Sequence, residues 1–418
     1  PPAGYTKFPH NPPATGGVSM TFTTAPRLTK SNRLWQRLGI ATNWPVLAAV
    51  AVLATLGLIS IGACPDASAA KQGAFLLVAV AGMALFQAVD YRRIGRWAWH
   101  FYIFAFLLIL YTVIGSRIGL PGASRTKGAA AWISFGPIKL EPAELMKVAM
   151  ILVLARYLRF RTSFRSFHGL LPPLLLALGP MAMILAQPDL GMAVLLLPIW
   201  FAMLFVAGAK VRNLLSLSGG GLLLGSVVWF CGVPGVPLLH HLPHVITDNQ
   251  RRRVSAFFNS DNPSEQRSGN YQIRKALTAM GSGGITGKGF QNIPFGKTVP
   301  EAQNDMIFSL IGEQFGFIGS VAVLGAYMVL FAAGIEIAAH TREPFGRLVA
   351  VGIVAALAAQ TCINLLVCTG LMPVTGITLP FVSSGGSSLV SSFLAAGLLL
   401  NVGQNRPLVM ARESFQFA

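Results

Sequence analysis

Residues 44 to 63 read WPVLAAVAVLATLGLISIGA, twenty consecutive positions without a charge. A helix that crosses the hydrocarbon of a bilayer needs about 20 apolar residues. No water is available there to satisfy backbone N–H and C=O groups, so the segment must close its own hydrogen bonds, as a helix does. The rest of the chain repeats the signal. Of 418 residues, 53% are hydrophobic and only 11% are charged, an apolar content that a soluble core and surface would not absorb. Outward from the first run, further apolar runs bounded by charges or by Pro and Gly cover Gly73 to Val89, Trp97 to Ile114, Leu145 to Tyr157 and Leu170 to Ala186. They continue at Gly191 to Ala207, Leu214 to Cys231, Met306 to Ile337, Leu348 to Cys368 and Ser387 to Val402. The expected fold is all-α, a polytopic integral membrane protein with about ten transmembrane helices and a long extracytoplasmic loop, 232–305, between the seventh and eighth spans. Residues 1–42, rich in Pro, Thr and Gly with scattered cations, read as a disordered cytoplasmic tail. Residues 43–403 read as the membrane domain and 404–418 as a second cytoplasmic tail.

A net charge of +18 would suggest nucleic acid in a soluble protein. In a membrane protein the same cations fix topology and meet anionic lipid, so the membrane is the expected partner and nucleic acid is not. The stretches DYRRIGRW (90–97), ARYLRFRTSFR (155–165), AKVR (209–212) and HTREPFGR (340–347) alternate with the other loops. With the tails they hold eighteen of the 32 Lys and Arg, which places both termini in the cytoplasm. Twelve of the other fourteen concentrate in two long loops, Gly115 to Glu144 and Gly232 to Asp305. Contact with lipid headgroups accounts for such loops, and so does a site for a phosphate-bearing, membrane-anchored substrate held by charge and forked hydrogen bonds.

With only 14 acidic residues, their placement is informative. Glu141, Glu144, Asp189, Asp261, Glu265, Glu301 and Asp305 fall in or beside external loops, while Glu313 lies about two turns into the eighth span, where an ionisable group is costly. In LEPAELMK (140–147), Pro142 suits a first helical turn and Glu141 and Glu144 suit the positive end of a helix. Lys147, three residues beyond Glu144, is spaced for an intrahelical pair. Asp189 in AQPDLG either caps the following span or faces a polar cavity. GSGGITGKG (281–289) lacks the ending of a Walker loop, and its glycines read as tight turns and close backbone approach. Cys64, Cys231, Cys362 and Cys368 lack metal-ligand spacing and read as packing residues.

Five motifs, in order, resemble those of the RodA/FtsW (SEDS) family of glycosyltransferases. They are AAAWISFGPIKLEPAELMK (129–147), QPDLG (187–191), YQIRKALTAMGSGGITGKGF (271–290), PEAQNDMIFSLIGEQFGFIG (300–319) and GLMPVTGITLPFVSSGGSS (370–388). The resemblance covers roughly Trp44 to Pro407. Glu141 stands where the family more often has Gln, Asn304 where it has Thr or His, and Ser384 where it usually has Tyr. The family's catalytic Asp-Pro is split here in NSDNPSEQRSGNYQ (259–272). Anchoring on Arg253 and Phe257 favours Asp261, whereas counting back from Tyr271 lands on Glu265.

The resemblance implies polymerisation of lipid II into β(1→4) glycan strands with inversion and release of undecaprenyl pyrophosphate. It assigns Asp261 as the catalytic base, with Glu265 as the fallback. Inversion with a pyrophosphate leaving group needs one base and no general acid, unlike glycoside hydrolysis. The leaving group needs positive charge. The expected cations are Arg125, Lys147, Arg253, Arg267, Arg274, Lys275 and Lys288. Glu144, Asp189, Glu301 and Asp305 are expected to form a polar shell, with Trp132, Ser383 and Ser387 contributing substrate contacts. A divalent cation, magnesium or manganese, is implied with no ligand set identified, as are a class B penicillin-binding transpeptidase as partner and the bacterial inner membrane as location. A flippase for the same lipid-linked sugar and a non-catalytic scaffold for the transpeptidase are the competing readings.

Overall fold

The structure, a computed structural model, describes residues 43–64, 69–126, 129–136, 138–231, 251, 255, 257 and 269–405. Both expected tails fall largely outside these residues. The chain opens with α1 (Trp44–Gly62) and α2 (Ala69–Ala88), then a short α3 (Tyr91–Arg96) and α4 (Ala98–Ile118). Three strands follow, β1 (Ala123–Thr126), β2 (Ala129–Phe135) and β3 (Ile138–Leu140), paired antiparallel in the order β1-β2-β3. Next come α5 (Pro142–Leu158), α6 (Leu171–Ala186), α7 (Leu190–Ala207) and α8 (Val211–Phe230). After α9 (Gly269–Ser282), three long helices complete the described chain: α10 (Ile307–His340), α11 (Pro344–Cys368) and α12 (Gly386–Gln404).

Among the described residues nine helices are long and apolar enough to cross a membrane. The tenth expected span is α5, a helix of 17 residues. The all-α polytopic expectation therefore holds for the spans. The small sheet and the amphipathic α9 are additions that apolar runs do not reveal, because both lie in polar loops.

α12 is the axis of the packing. It lies against α2, α5, α10 and α11, and Ser387, Ser388, Ser391, Ser392 and Asn401 are all buried on it. Small side chains let neighbouring helices approach closely in a medium where no hydrophobic force pulls them together. At its far end Asn401 replaces the missing helical partners of α2: its amide donates to the carbonyls of Phe86 (2.7 Å) and Gln87 (3.0 Å), and its oxygen accepts from the Tyr91 N–H (3.0 Å). α8, by contrast, buries only Leu214.

One expected span differs in form. Met306 to Ile337 reads as a single helix, but α10 is two helices joined at Gly316, whose φ of 64° and ψ of −155° are open to glycine alone. A break in a membrane helix frees backbone groups that must find partners. The glycine-rich turn after α9 supplies them. Phe317 and Ile318 N–H donate to the carbonyls of Gly284 (2.9 Å) and Ile285 (3.1 Å), and Lys288 and Gly289 N–H donate to those of Glu313 (2.9 Å) and Gln314 (3.0 Å). A Cβ on Gly283 or Gly287 would stand 1.9 Å or 2.2 Å from carbonyl oxygens of α10. The expected role of these glycines, close backbone approach, is what they perform.

Candidate functional site

Many of the buried polar side chains of the spans collect at the helix ends that face the sheet and α9. Three clusters form there.

The first is built on α5. Pro142 occupies the first helical turn, and the expected pair forms, with Lys147 Nζ 2.7 Å from Glu144 Oε2. Both side chains are almost fully buried. Lys147 also donates to Gln360 Oε1 on α11 (2.6 Å), and Ser391 on α12 donates to Glu144 Oε2 (2.6 Å). Gln360 donates in turn to the carbonyl of Thr378 (3.0 Å), whose hydroxyl shares a 2.6 Å bond with Ser388. Ser387 bridges two segments, donating to the Lys139 carbonyl on β3 and accepting from the Glu141 N–H, both at 3.0 Å. Lys147, expected among the pyrophosphate cations, therefore has its charge directed to Glu144 inside the bundle.

Glu141 departs from its expected capping role. It holds the N-cap position of α5, but its side chain makes no cap bond. Burial, then the Glu144 and Asp189 carboxylates, hold its carboxyl well above the ordinary carboxylate range, with Lys147 pulling it back. Asp189 does cap, accepting from the Met192 N–H at 3.0 Å at the start of α7.

The second cluster surrounds Asp305, just before α10. Its carboxylate accepts from Gln272 on α9 (3.2 Å), and its carbonyl accepts from Asn364 on α11 (2.8 Å), which also donates to the Ile377 carbonyl (2.8 Å). Gln272 reaches the Pro300 carbonyl as well (3.0 Å). Glu301 accepts from Asn304 (2.7 Å), and the Ser384 N–H donates to the Gln303 carbonyl (2.8 Å). Ser383 turns back on its own segment, accepting from the Leu379 N–H at 2.8 Å, while its carbonyl accepts from Gln72 on α2. The segment from Ile377 to Ser391 thus joins the first two clusters.

The third cluster is centred on Glu313, fully buried in the first half of α10. Its carboxylate pairs with Lys288 Nζ at 2.9 Å and accepts from Ser282, Phe295 N–H and Gly296 N–H. Lys288, expected to face substrate, is committed to this pair.

On α9, Arg274 is exposed and Lys275 lies 4.8 Å from the centre of the Tyr271 ring. Trp132 is half-buried on β2, opposite Ser124 of β1. Arg125 is on β1. Arg253, Asp261, Glu265 and Arg267 lie outside the described residues. Gln272, Gln360, Asn364, Thr378 and Ser391 were not anticipated. Gln360 and Asn364 did carry a signal, as two amides one turn apart inside the apolar run of α11.

A divalent cation finds no assembled ligand set among the described residues, where no three His, Cys, Asp or Glu converge. Glu144 and Glu313 face ammonium groups and Asp189 a helix N-terminus, arrangements that satisfy carboxylates without a metal.

The fold and its polar end define a class: a multi-pass membrane protein with a buried polar network at the end that bears the sheet and α9. Residues 36–407 match the FtsW, RodA and SpoVE family of cell cycle proteins. The chain belongs to that family, as its five motifs implied. It is 36% identical over 343 residues to stage V sporulation protein E of Bacillus subtilis, covering 80% of this chain and 87% of that protein. It is 35% identical over 339 residues to the probable peptidoglycan glycosyltransferase FtsW of Geobacter metallireducens, covering 79% and 84%. Among solved structures, it is similar to a chain of a peptidoglycan synthase complex described as coordinating polymerisation and crosslinking, with a TM-score of 0.73 and 29% identity over 88% of this chain and all of that one. The crystal structure of the rod shape determining protein RodA of Thermus thermophilus matches with a TM-score of 0.62 and 27% identity, covering 88% and 98%.

Proposed function

We propose that this protein is a peptidoglycan glycosyltransferase that polymerises lipid II at the outer face of the bacterial inner membrane, with both termini in the cytoplasm and a class B penicillin-binding transpeptidase as partner. One observation carries the reading: within a member of this family, the clusters around Glu144 and Asp305 converge at the loop-side helix ends rather than at mid-membrane. A transporter of the same lipid-linked sugar would call for binding groups near the bilayer midplane in both halves.

The reaction joins the 4-hydroxyl oxygen of one sugar to the anomeric carbon of another. The bond from that carbon to pyrophosphate breaks with inversion, and a carboxylate takes the hydroxyl proton. Asp261 is the proposed base, with Glu265 the alternative left by the split Asp-Pro motif. The pyrophosphate leaves as a stable anion that cations must neutralise. Arg274 and Lys275, on the outer helix α9, remain the best placed of the described candidates. The Glu144–Lys147–Gln360 network holds α5, α11 and α12 in fixed relation.

The test is polymerisation of lipid II by the purified chain in magnesium or manganese, with and without a transpeptidase partner. Asp261→Asn keeps size and most hydrogen bonding, and its rate should fall roughly 10²- to 10⁴-fold, as for loss of a positioned base. Glu265→Gln is the comparison. An active Asp261→Asn beside an inactive Glu265→Gln moves the base to Glu265. Two fully active variants would overturn a single-base mechanism in this loop, and an inactive parent chain that still supports its partner would favour the scaffold.

A further inference from the structure

The Glu313–Lys288 pair does more than the break in α10 requires. The freed backbone groups around Gly316 are already partnered by Gly284, Ile285, Lys288 and Gly289 through main-chain bonds alone. An apolar side chain at 313 would leave those four bonds in place. A buried ion pair is seldom more stabilising than apolar residues of the same volume, because two charges must first lose their water. What the pair adds is geometry. One carboxylate gathers three separate stretches of chain: Ser282 at the end of α9 (3.2 Å), Lys288 in the glycine-rich turn (2.9 Å), and the N–H groups of Phe295 (3.2 Å) and Gly296 (2.5 Å). Lys288 closes the arrangement, donating also to Ser282 Oγ (2.8 Å) and lying 4.4 Å from the centre of the Phe295 ring.

We infer that Glu313, with Lys288, is a positioning latch that fixes α9 to the first half of α10, and with it the cations Arg274 and Lys275. The inference rests on the glycosyltransferase reading above. The opposite end of α9 is tied through Gln272 to Asp305, just before that half-helix, so the latch and this bond together determine where α9 stands against the polar network. α9 begins eight residues beyond Asp261 in the sequence. Lys288 is thereby a positioning residue rather than a substrate cation.

The test uses the full chain in lipid nanodiscs, with its four cysteines replaced and spin labels introduced at Thr278 on α9 and at Phe315, half-buried at the end of the first half of α10. Three variants are compared with the parent: Glu313→Gln, Lys288→Met and the double variant. The latch predicts one narrow inter-label distance in the parent and a broadened one in all three. It also predicts a kcat lower by roughly 10- to 100-fold, the scale expected of a reacting group displaced by about an ångström, with KM within about threefold. The double variant should recover thermal stability, having no unpaired buried charge, without recovering kcat or the narrow distance. Recovery of both would mean that the pair only satisfies its own burial, and the latch would be overturned. Unchanged distances in the variants would overturn it as well. If Glu313→Gln fails to insert, Lys288→Met and the double variant carry the comparison. If the parent shows no polymerase activity, the proposed function fails, while the distance measurement still decides the latch.

Discussion

Glu141 stands where the family more often has glutamine, and its surroundings explain how a carboxylic acid fits there. Burial and the neighbouring Glu144 and Asp189 favour the neutral acid, which has the shape and neutrality of an amide. The consequence is a pH dependence with a definite sign. A carboxyl whose pKa is raised by folding binds more protons in the folded state, so its contribution is fully present below the ordinary value of 4.5 and is lost as pH rises through the raised folded value. Thermal unfolding of the parent should therefore contain a component that weakens with rising pH above that value. Glu141→Gln should lack the component and be the more stable protein at the upper end of the range. A parallel pH profile in both proteins would show that Glu141 ionises freely.

At the scale of elements, the broken helix is the feature on which the polar end depends. Gly316 adopts a backbone conformation in which a Cβ would also stand 2.3 Å from the Gly287 nitrogen. Gly316→Ala should destabilise the protein by about 1–3 kcal/mol or more, the range for a strained backbone position, and should loosen the glycine-rich turn. Gly325 lies one helix segment further along α10 with open space where its Cβ would be. Gly325→Ala should be neutral or stabilising by up to about 1 kcal/mol, since alanine is the better helix former. The pair of melting curves separates the special position from the ordinary one. Equal shifts would mean that the break tolerates a side chain. The same contrast explains a miss in reading the sequence: GEQFGFIG is apolar enough to be taken for continuous helix, and the break becomes visible only when the partner turn is laid against it.

For the whole molecule, the proposed orientation puts the side bearing α9 outside. Thr278 is exposed on α9, so a cysteine placed there in a cysteine-free background should react with an impermeant thiol reagent added to intact cells. Reaction only after the inner membrane is opened would invert the whole arrangement. If the orientation holds, the buried network of α5, α11 and α12 lies just beneath the outer surface. A membrane-anchored substrate would present its phosphates at that depth.

The spans and their order were legible in the linear sequence because the bilayer imposes a local rule: about 20 apolar residues, with charges at the ends. The Glu144–Lys147 pair was legible for the same reason, since helical spacing alone brings residues three apart together. So was the family, carried by five ordered motifs. Tertiary structure decided what those motifs do to one another. Lys147 meets Gln360 and Glu144 meets Ser391 across intervals of 213 and 247 residues, and no local periodicity encodes such contacts. Lys288 looked like a cation for substrate until the fold placed it against Glu313, 25 residues away. In a low-dielectric interior the nearest opposite charge determines what a cation can do, and only the packed chain establishes which charge that is.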